Sequence, residues 1–266
     1  MNFLVLTIFP GMFDPFWEHG IIRRAIERQQ ISAAAIDIRD FAEGRHRVTD
    51  DRPYGGGCGM VMKPEPLAGA IRAAKARIPS ARTILMSPQG KSFNQQMARD
   101  LQSSTDGLIL VCGRYEGVDE RICSNLIDDE ISIGDYVLTG GELAAMIVID
   151  AVTRLIPGTL GGADSAEKDS FTDDLLEHPH YTRPPEFEGD DVPEILLSGN
   201  HKAIDQWRLE NSLIRTFLKR PDLLENRPLG QEEIDILKTW CLNIERIIQS
   251  QSVRGSGSLS GGQQKR

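Results

Sequence analysis

The stretch LILVCGRYEGVDER, residues 108–121, sets five apolar residues directly before a glycine-bearing turn. A short apolar run without alternation is the pattern of a strand buried on both faces. A turn that opens on Gly113 lets backbone approach a ligand closely, because no Cβ stands in the way. Further on, SIGDYVLTGGEL, residues 132–143, repeats the device with Gly134, Gly140 and Gly141 and leads into a helix. Glu116, Asp119, Asp135 and Glu142 stand in or beside these turns, more carboxylate than simple turns call for.

Outward from there, residues 3–9 and 83–87 read as further buried strands, with 34–38 and 136–138 as weaker ones. Helical patterns cover 20–30, 66–77 and 92–101, the last with Ser92 at its N-cap position. Strand and helix alternate, which predicts an α/β fold for residues 1–160, an open and mostly parallel sheet. Such sheets bind ligands outside the carboxyl ends of their strands, where SPQG (residues 87–90) and CGRYEG fall. A strong helix over 141–154 carries Leu143, Met146, Ile147 and Val148 and stops before Pro157-Gly158. Residues 161–172 turn to Gly, Ala, Ser and acids and read as a linker or lid. A small all-helical domain is expected over 173–248, although 182–192 has no periodicity. Its helix 201–220 has Ile204, Trp207, Ile214 and Leu218 on one stripe; another helix covers 231–248. The Ser/Gly/Gln-rich residues 249–266 read as a disordered tail.

The 266 residues are 40% apolar, enough for a sizeable core. No stretch approaches the ~18 uninterrupted apolar residues of a membrane span. The opening MNFLVLTIFPGMFDPF lacks a basic start and meets Pro10-Gly11 too early for a signal peptide. Cys58, Cys112, Cys123 and Cys241 form no CxxC pair, which points to reduced thiols, a cytoplasmic location and no structural zinc site. The net charge of −9 lies entirely in residues 161–194, which hold eleven acids against Lys168 and Arg183. Residues 196–220 reverse to a local +3. That patch is compatible with RNA, although on charge alone a solvated helix face explains it as well.

GxGxxG, a Walker A loop and a GxSxG elbow do not occur. YGGGCGM, residues 54–60, has glycines without the spacing or a preceding strand. Glu177-His178-Pro179-His180 is a lone HxH in an acidic stretch, read as surface rather than metal site. Dehydrogenase, NTPase, serine hydrolase and zinc enzyme are demoted together.

Eight strings in register carry a resemblance: LTIFPGMFDPF, DRPYGGGCGMVMKPEPL, SPQG, CGRYEGVDERI, SIGDYVLTGGELAAMIVIDAVTRLIPG, DSF, HPHYTRP and LLSGNHKAIDQWR. Together they resemble the bacterial tRNA (guanine-N1)-methyltransferases of the SPOUT superfamily, over residues 6–224. The resemblance implies a deep trefoil knot in the C-terminal part of the α/β domain. It implies S-adenosylmethionine as methyl donor, held by loops 87–90, 112–117 and 132–141, and magnesium as a family requirement that no spacing here displays. It further implies a homodimer with active sites shared between subunits, no membrane, and tRNA as partner, methylated at guanosine 37. Departures are Cys58 where the family usually has Pro, Ala144 where it often has Pro, and Leu85 where it often has an aromatic residue.

Guanine N1 holds a proton at neutral pH, so methylation needs a base, and a cation for charge developing on the carbonyl oxygen. By resemblance Asp169, in KDSF, is that base; taken alone it is one of eleven acids in a solvated stretch. Arg154 resembles the guanine-contacting arginine; alone it is a cation suited to a helix C-terminus. Glu116 is expected to orient the substrate, Arg154 or a divalent ion. Pro88, Gly113, Tyr115, Ile133, Gly134, Asp135, Tyr136, Val137, Leu138, Gly140 and Gly141 are the expected cofactor contacts, offering apolar walls and close backbone amides. His201, Lys202, Arg215 and Lys219 are expected to meet RNA phosphate, and Arg208 to stack on or pair with RNA, while neighbouring Trp207 reads as core. The rivals are a SPOUT enzyme acting on ribosomal RNA or a ribose oxygen, and an RNA-binding module without turnover.

Overall fold

The computed structural model describes residues 1–161 and 169–256, with side chains as far as residue 250. The chain forms two compact units, Met1–Ala166 and Glu167–Arg266. The first runs β1 (Asn2–Thr7), α1 (Asp14–Trp17), α2 (Gly20–Glu27), β2 (Ser32–Asp37), β3 (Asp50–Asp51), β4 (Val61–Met62), α3 (Pro64–Arg77), β5 (Arg82–Ser92), α4 (Gln95–Ser104), β6 (Gly107–Cys112), α5 (Glu120–Leu126), β7 (Asp129–Ser132) and α6 (Glu142–Arg154).

Five of these strands form one sheet in the order β2-β1-β6-β5-β7, with every ladder parallel. Burial explains the order. All six residues of β6 are buried, and all but Asn2 in β1, so these two take the middle. Successive side chains point to opposite faces. Phe3, Val5, Leu108 and Leu110 therefore pack with Ala145, Val148, Ile149 and Val152 of α6. Leu4, Leu6, Ile109 and Val111 pack on the other face with Leu67, Ala70, Ile71 and Ala74 of α3. Both faces are covered, which is why these runs show no polar alternation.

Two local expectations are corrected, and one short helix was not foreseen. Residues 136–138 are not a strand: Tyr136, Val137 and Leu138 are exposed, and the edge position belongs to β7, whose acidic start hides it from a hydrophobicity reading. Ser92 does not cap α4, because β5 runs through it; Asn94 does, accepting from the Met97 N–H at 2.9 Å. Short α5, capped by Asp119, had too few residues to show a period.

The second unit contains β8 (Glu186–Phe187), β9 (Asp190–Asp191), α7 (Glu194–Leu197), α8 (His201–Lys219), α9 (Pro221–Glu225) and α10 (Gln231–Ser256). Strands β8 and β9 form a small antiparallel hairpin within the aperiodic acidic stretch. On α8 the buried residues are Ile204, Leu213 and Thr216; Trp207 is half-buried and Leu218 exposed. Thr216 earns its interior place by hydrogen bonds, donating to Ser212 O at 2.7 Å and accepting from the Leu176 N–H at 2.9 Å. Apolar periodicity cannot flag such a residue. Helix α10 continues to Ser256 rather than ending at 248. Most of the expected linker (162–168) and the end of the expected tail (257–266) lie outside the described residues. Among the described residues, no helix is long and apolar enough to cross a membrane.

Candidate active site

Three glycine-bearing loops meet at the carboxyl ends of β5, β6 and β7. The SPQG segment is a bulge inside β5: Met86 and Lys91 both face Ile131, so residues 87–90 loop outward. A Cβ on Gly90 would collide with the Glu130–Ile131 peptide, which fixes glycine at the point of return. The loop after β6 is zipped to the loop before α6. Arg114 pairs with Gly140 in an isolated bridge, and the Gly141 N–H donates to Gly113 O at 3.0 Å. A Cβ on Gly141 would lie 2.8 Å from Cys112 Cα and 3.0 Å from Met86 Cβ, closer than packed atoms tolerate. The glycine-rich 55–59 segment joins from outside: the Glu116 N–H donates to Met60 O at 3.0 Å, and the Met62 N–H to Gly117 O at 3.0 Å.

These loops enclose a cavity of about 280 Å³. Pro88, Gly113, Tyr115, Glu116, Ile133, Gly134, Tyr136, Val137, Leu138, Gly140 and Gly141 all line it. Asp135 does not. The tight turn in which the Tyr136 N–H donates to Gly134 O at 2.9 Å leaves its side chain exposed.

Sequence reasoning passed over Arg114, and treated Glu142 only as one of several turn acids. They form a buried ion pair, Arg114 Nη2 to Glu142 Oε2 at 2.9 Å, with Glu142 only 1% exposed. The Thr7 hydroxyl donates to Glu142 Oε1 at 2.7 Å and Arg114 Nη1 to Thr139 O at 3.2 Å, while the guanidinium lies 4.6 Å from the Phe9 ring centroid. The pair therefore ties the end of β1 to two pocket loops. The available signal was an acid in the first turn of a predicted helix, a position that usually means solvated dipole compensation. Burial raises the Cys112 thiol well above its ordinary pKa; Glu142 adds to the rise and Arg114 opposes it. Cavity-lining Cys123 is pushed up to about 11 by burial, then by Glu130 and Glu120. Neither is a thiolate nucleophile at neutral pH.

Arg154 occupies the last turn of α6, half-buried and outside the cavity lining. At 1.5 Å per residue, it stands about 18 Å along the helix axis from Glu142. One chain thus has its cavity at one end of α6 and this cation at the other. Asp169 is half-buried at the start of the second unit, where its carbonyl accepts from the Thr172 N–H at 3.2 Å.

Residues 1–226 match the family described as tRNA (Guanine-1)-methyltransferase TrmD. A protein of Desulfatibacillum aliphaticivorans named tRNA (guanine-N(1)-)-methyltransferase is 59% identical over 260 residues, 98% of this chain and 99% of that one. Proteins of the same name from Syntrophotalea carbinolica and Listeria monocytogenes are 56% and 52% identical, each over 90% of this chain and 96% and 98% of their own. The chain belongs to this tRNA (guanine-1)-methyltransferase family.

The basic residues expected to meet the family's nucleic acid lie on α8. His201, Arg208 and Arg215 recur every seven residues and so share a face of the helix. His201, Lys202, Arg208 and Lys219 are exposed; Arg208 is paired with Asp205 at 3.1 Å. Arg215 is half-buried and donates to Glu177 O at 3.5 Å, making it partly a scaffold residue. Trp207 is not full core: its ring stands 6.2 Å from His178 and 6.3 Å from Tyr181. Glu177, His178 and His180, read in sequence as surface with no metal site, have one ligand atom each within 4.8 Å of the others.

Proposed function

We propose that the protein transfers a methyl group from S-adenosylmethionine to N1 of guanosine 37 in tRNA. The observation that carries this reading is the cavity walled by three glycine-bearing loops in a chain of this family. The residues present fit the donor. Leu85, Ile133, Leu138 and Ala144 supply apolar wall for an adenine ring, and the Gly140–Gly141 backbone lies where a Cβ would fill the space. Bound there, S-adenosylmethionine supplies an electrophilic methyl group. Tyr115 and Tyr136 line the same cavity, and Glu116, an exposed carboxylate of its lining, is where a hydrated magnesium ion would be held.

Asp169 takes the N1 proton of guanine, and Arg154 donates to the carbonyl oxygen on which charge develops. Arg154 stands at the far end of α6 from the cavity of its own chain, so a complete site takes the cavity from one copy and Arg154 from another. That geometry supports a homodimer, as do the uncovered apolar side chains Val137 (85% exposed) and Tyr136 (54% exposed) at the cavity. The contact of Gly141 with Cys112 and Gly113 supports threading of residues 132–154 through the preceding loop, the trefoil knot. His201, Lys202, Arg208 and Lys219 of α8 meet tRNA phosphate, with Arg215 bracing them.

Labelled methyl transfer to a tRNA transcript with guanosine at position 37, against the same transcript with adenosine there, tests the reading. Label confined to the guanosine transcript and lost in Asp169→Ala is expected. Label on ribosomal RNA alone would replace the substrate, and cofactor binding without transfer to any RNA would leave a binding module.

A further inference from the structure

We infer that Glu177, His178 and His180 of the second unit form a site for a borderline transition-metal dication such as zinc. Two imidazoles and a carboxylate are a donor set this class of ion favours, while magnesium and calcium prefer oxygen alone. Donors about 2.1 Å from a tetrahedral ion lie about 3.4 Å apart. Here the three ligand atoms are already within 4.8 Å of one another, so closing on an ion needs movements on the order of an ångström.

The cluster is braced rather than carried on a free loop. The Glu177 N–H donates to Ser170 Oγ at 3.0 Å, and the Leu176 N–H beside it to Thr216 Oγ1 at 2.9 Å. Pro179 fixes φ between the two histidines. The two imidazole rings lie 4.6 Å apart, and Trp207 packs edge-on to His178 at 6.2 Å. His178 Nδ1 sits 3.1 Å from Pro179 O. A carbonyl only accepts, so Nδ1 carries the proton and Nε2 the lone pair, the outer-shell anchoring usual for a metal-bound histidine. His180 Nε2 and Glu177 Oε1 already lie 2.8 Å apart, so these two donors need little movement to close on an ion.

Trp207 provides the readout, since cobalt or copper beside His178 quenches indole fluorescence. Calorimetric titration of the full chain with zinc is expected to give one site per chain. His178→Ala and His180→Ala should each weaken it about tenfold or more. Cobalt quenching should disappear in Trp207→Phe, although two other tryptophans remain. Binding must also survive in a Cys58→Ser/Cys241→Ser chain, which lacks the exposed thiols. Circular dichroism of the ion-free variants separates loss of a ligand from loss of the fold, and Glu177→Gln, nearly isosteric, repeats the test where an alanine variant unfolds. No zinc bound, or zinc bound as tightly by the folded His178→Ala/His180→Ala chain, would overturn the site. The readout is the ion itself, so the result is independent of methyl transfer.

Discussion

The two ends of α6 carry opposite charges in the positions a helix dipole favours, Glu142 in the first turn and Arg154 in the last. By sequence they are equivalent capping charges. In the fold they differ in burial and therefore in role. Glu142 is sealed in, paired with Arg114 and bonded to Thr7, and it holds the cavity loops together. Arg154 keeps partial access to solvent beside the Pro157-Gly158 turn, whose carbonyls accept from Gln30 Nε2 at 3.1 Å and Arg28 Nη1 at 3.4 Å. A buried charge shapes a site, whereas a half-buried cation keeps the access that the role proposed for Arg154 requires.

Substitution should separate these roles. Arg154→Ala, like Asp169→Ala, is expected to lower methyl transfer by about 10²- to 10⁴-fold while leaving cofactor affinity unchanged. Single-turnover kinetics alongside cofactor titration check this, and a fall in cofactor affinity with Arg154→Ala would erase the contrast between the helix ends. Glu142→Ala should do the opposite. Leaving Arg114 enclosed without its partner costs about 3 kcal/mol of stability by denaturant unfolding and loosens the cofactor with it. A variant as stable as the parent would mean that the ion pair does not hold the loops.

Gly141→Ala sharpens the same end at smaller cost. Its Cβ meets backbone rather than a flexible side-chain tip, so a loss of about 1–3 kcal/mol and weaker cofactor binding are expected. The smallest effect lies across the sheet at Asp128. Partial burial pushes its carboxyl up, but the Thr83 N–H and then Lys75 outweigh this and hold it below the ordinary value. A depressed carboxylate pKa contributes stability above the unfolded value of about 3.9, lost as pH falls through the folded one. Because Asp128 is half exposed and screened, Asp128→Asn should remove no more than about 1 kcal/mol at neutral pH and flatten the acid limb of the stability curve.

The sheet was legible wherever burial on both faces produced uninterrupted apolar runs, as in β1 and β6. It was illegible at β7, where DEIS buries only Ile131 and Ser132. The cavity was legible because glycines at strand ends have few other reasons to cluster; of the expected contacts Asp135 lies outside the lining, while Leu85, Arg114, Cys123 and Ala144 line it without having been expected. What could not be read was pairing across long sequence separations. Nothing in the chain announces that Arg114 meets Glu142 or that Thr7 completes them. Thr216 shows the same limit, since a polar residue buried through hydrogen bonds leaves no trace in apolar periodicity.

The most direct test of a site built from two copies is complementation between two inactive chains. Gly113 lines the cavity, and its Cβ would have no neighbour nearer than 3.6 Å, so Gly113→Leu can fill the cavity without straining the backbone. Differently tagged Gly113→Leu and Arg154→Ala chains, co-expressed and purified as the mixed species, should regain methyl transfer, because one site then combines an intact cavity with the other chain's Arg154. A mixed species as inactive as its parents, or a protein that is monomeric in solution, would contradict a shared site.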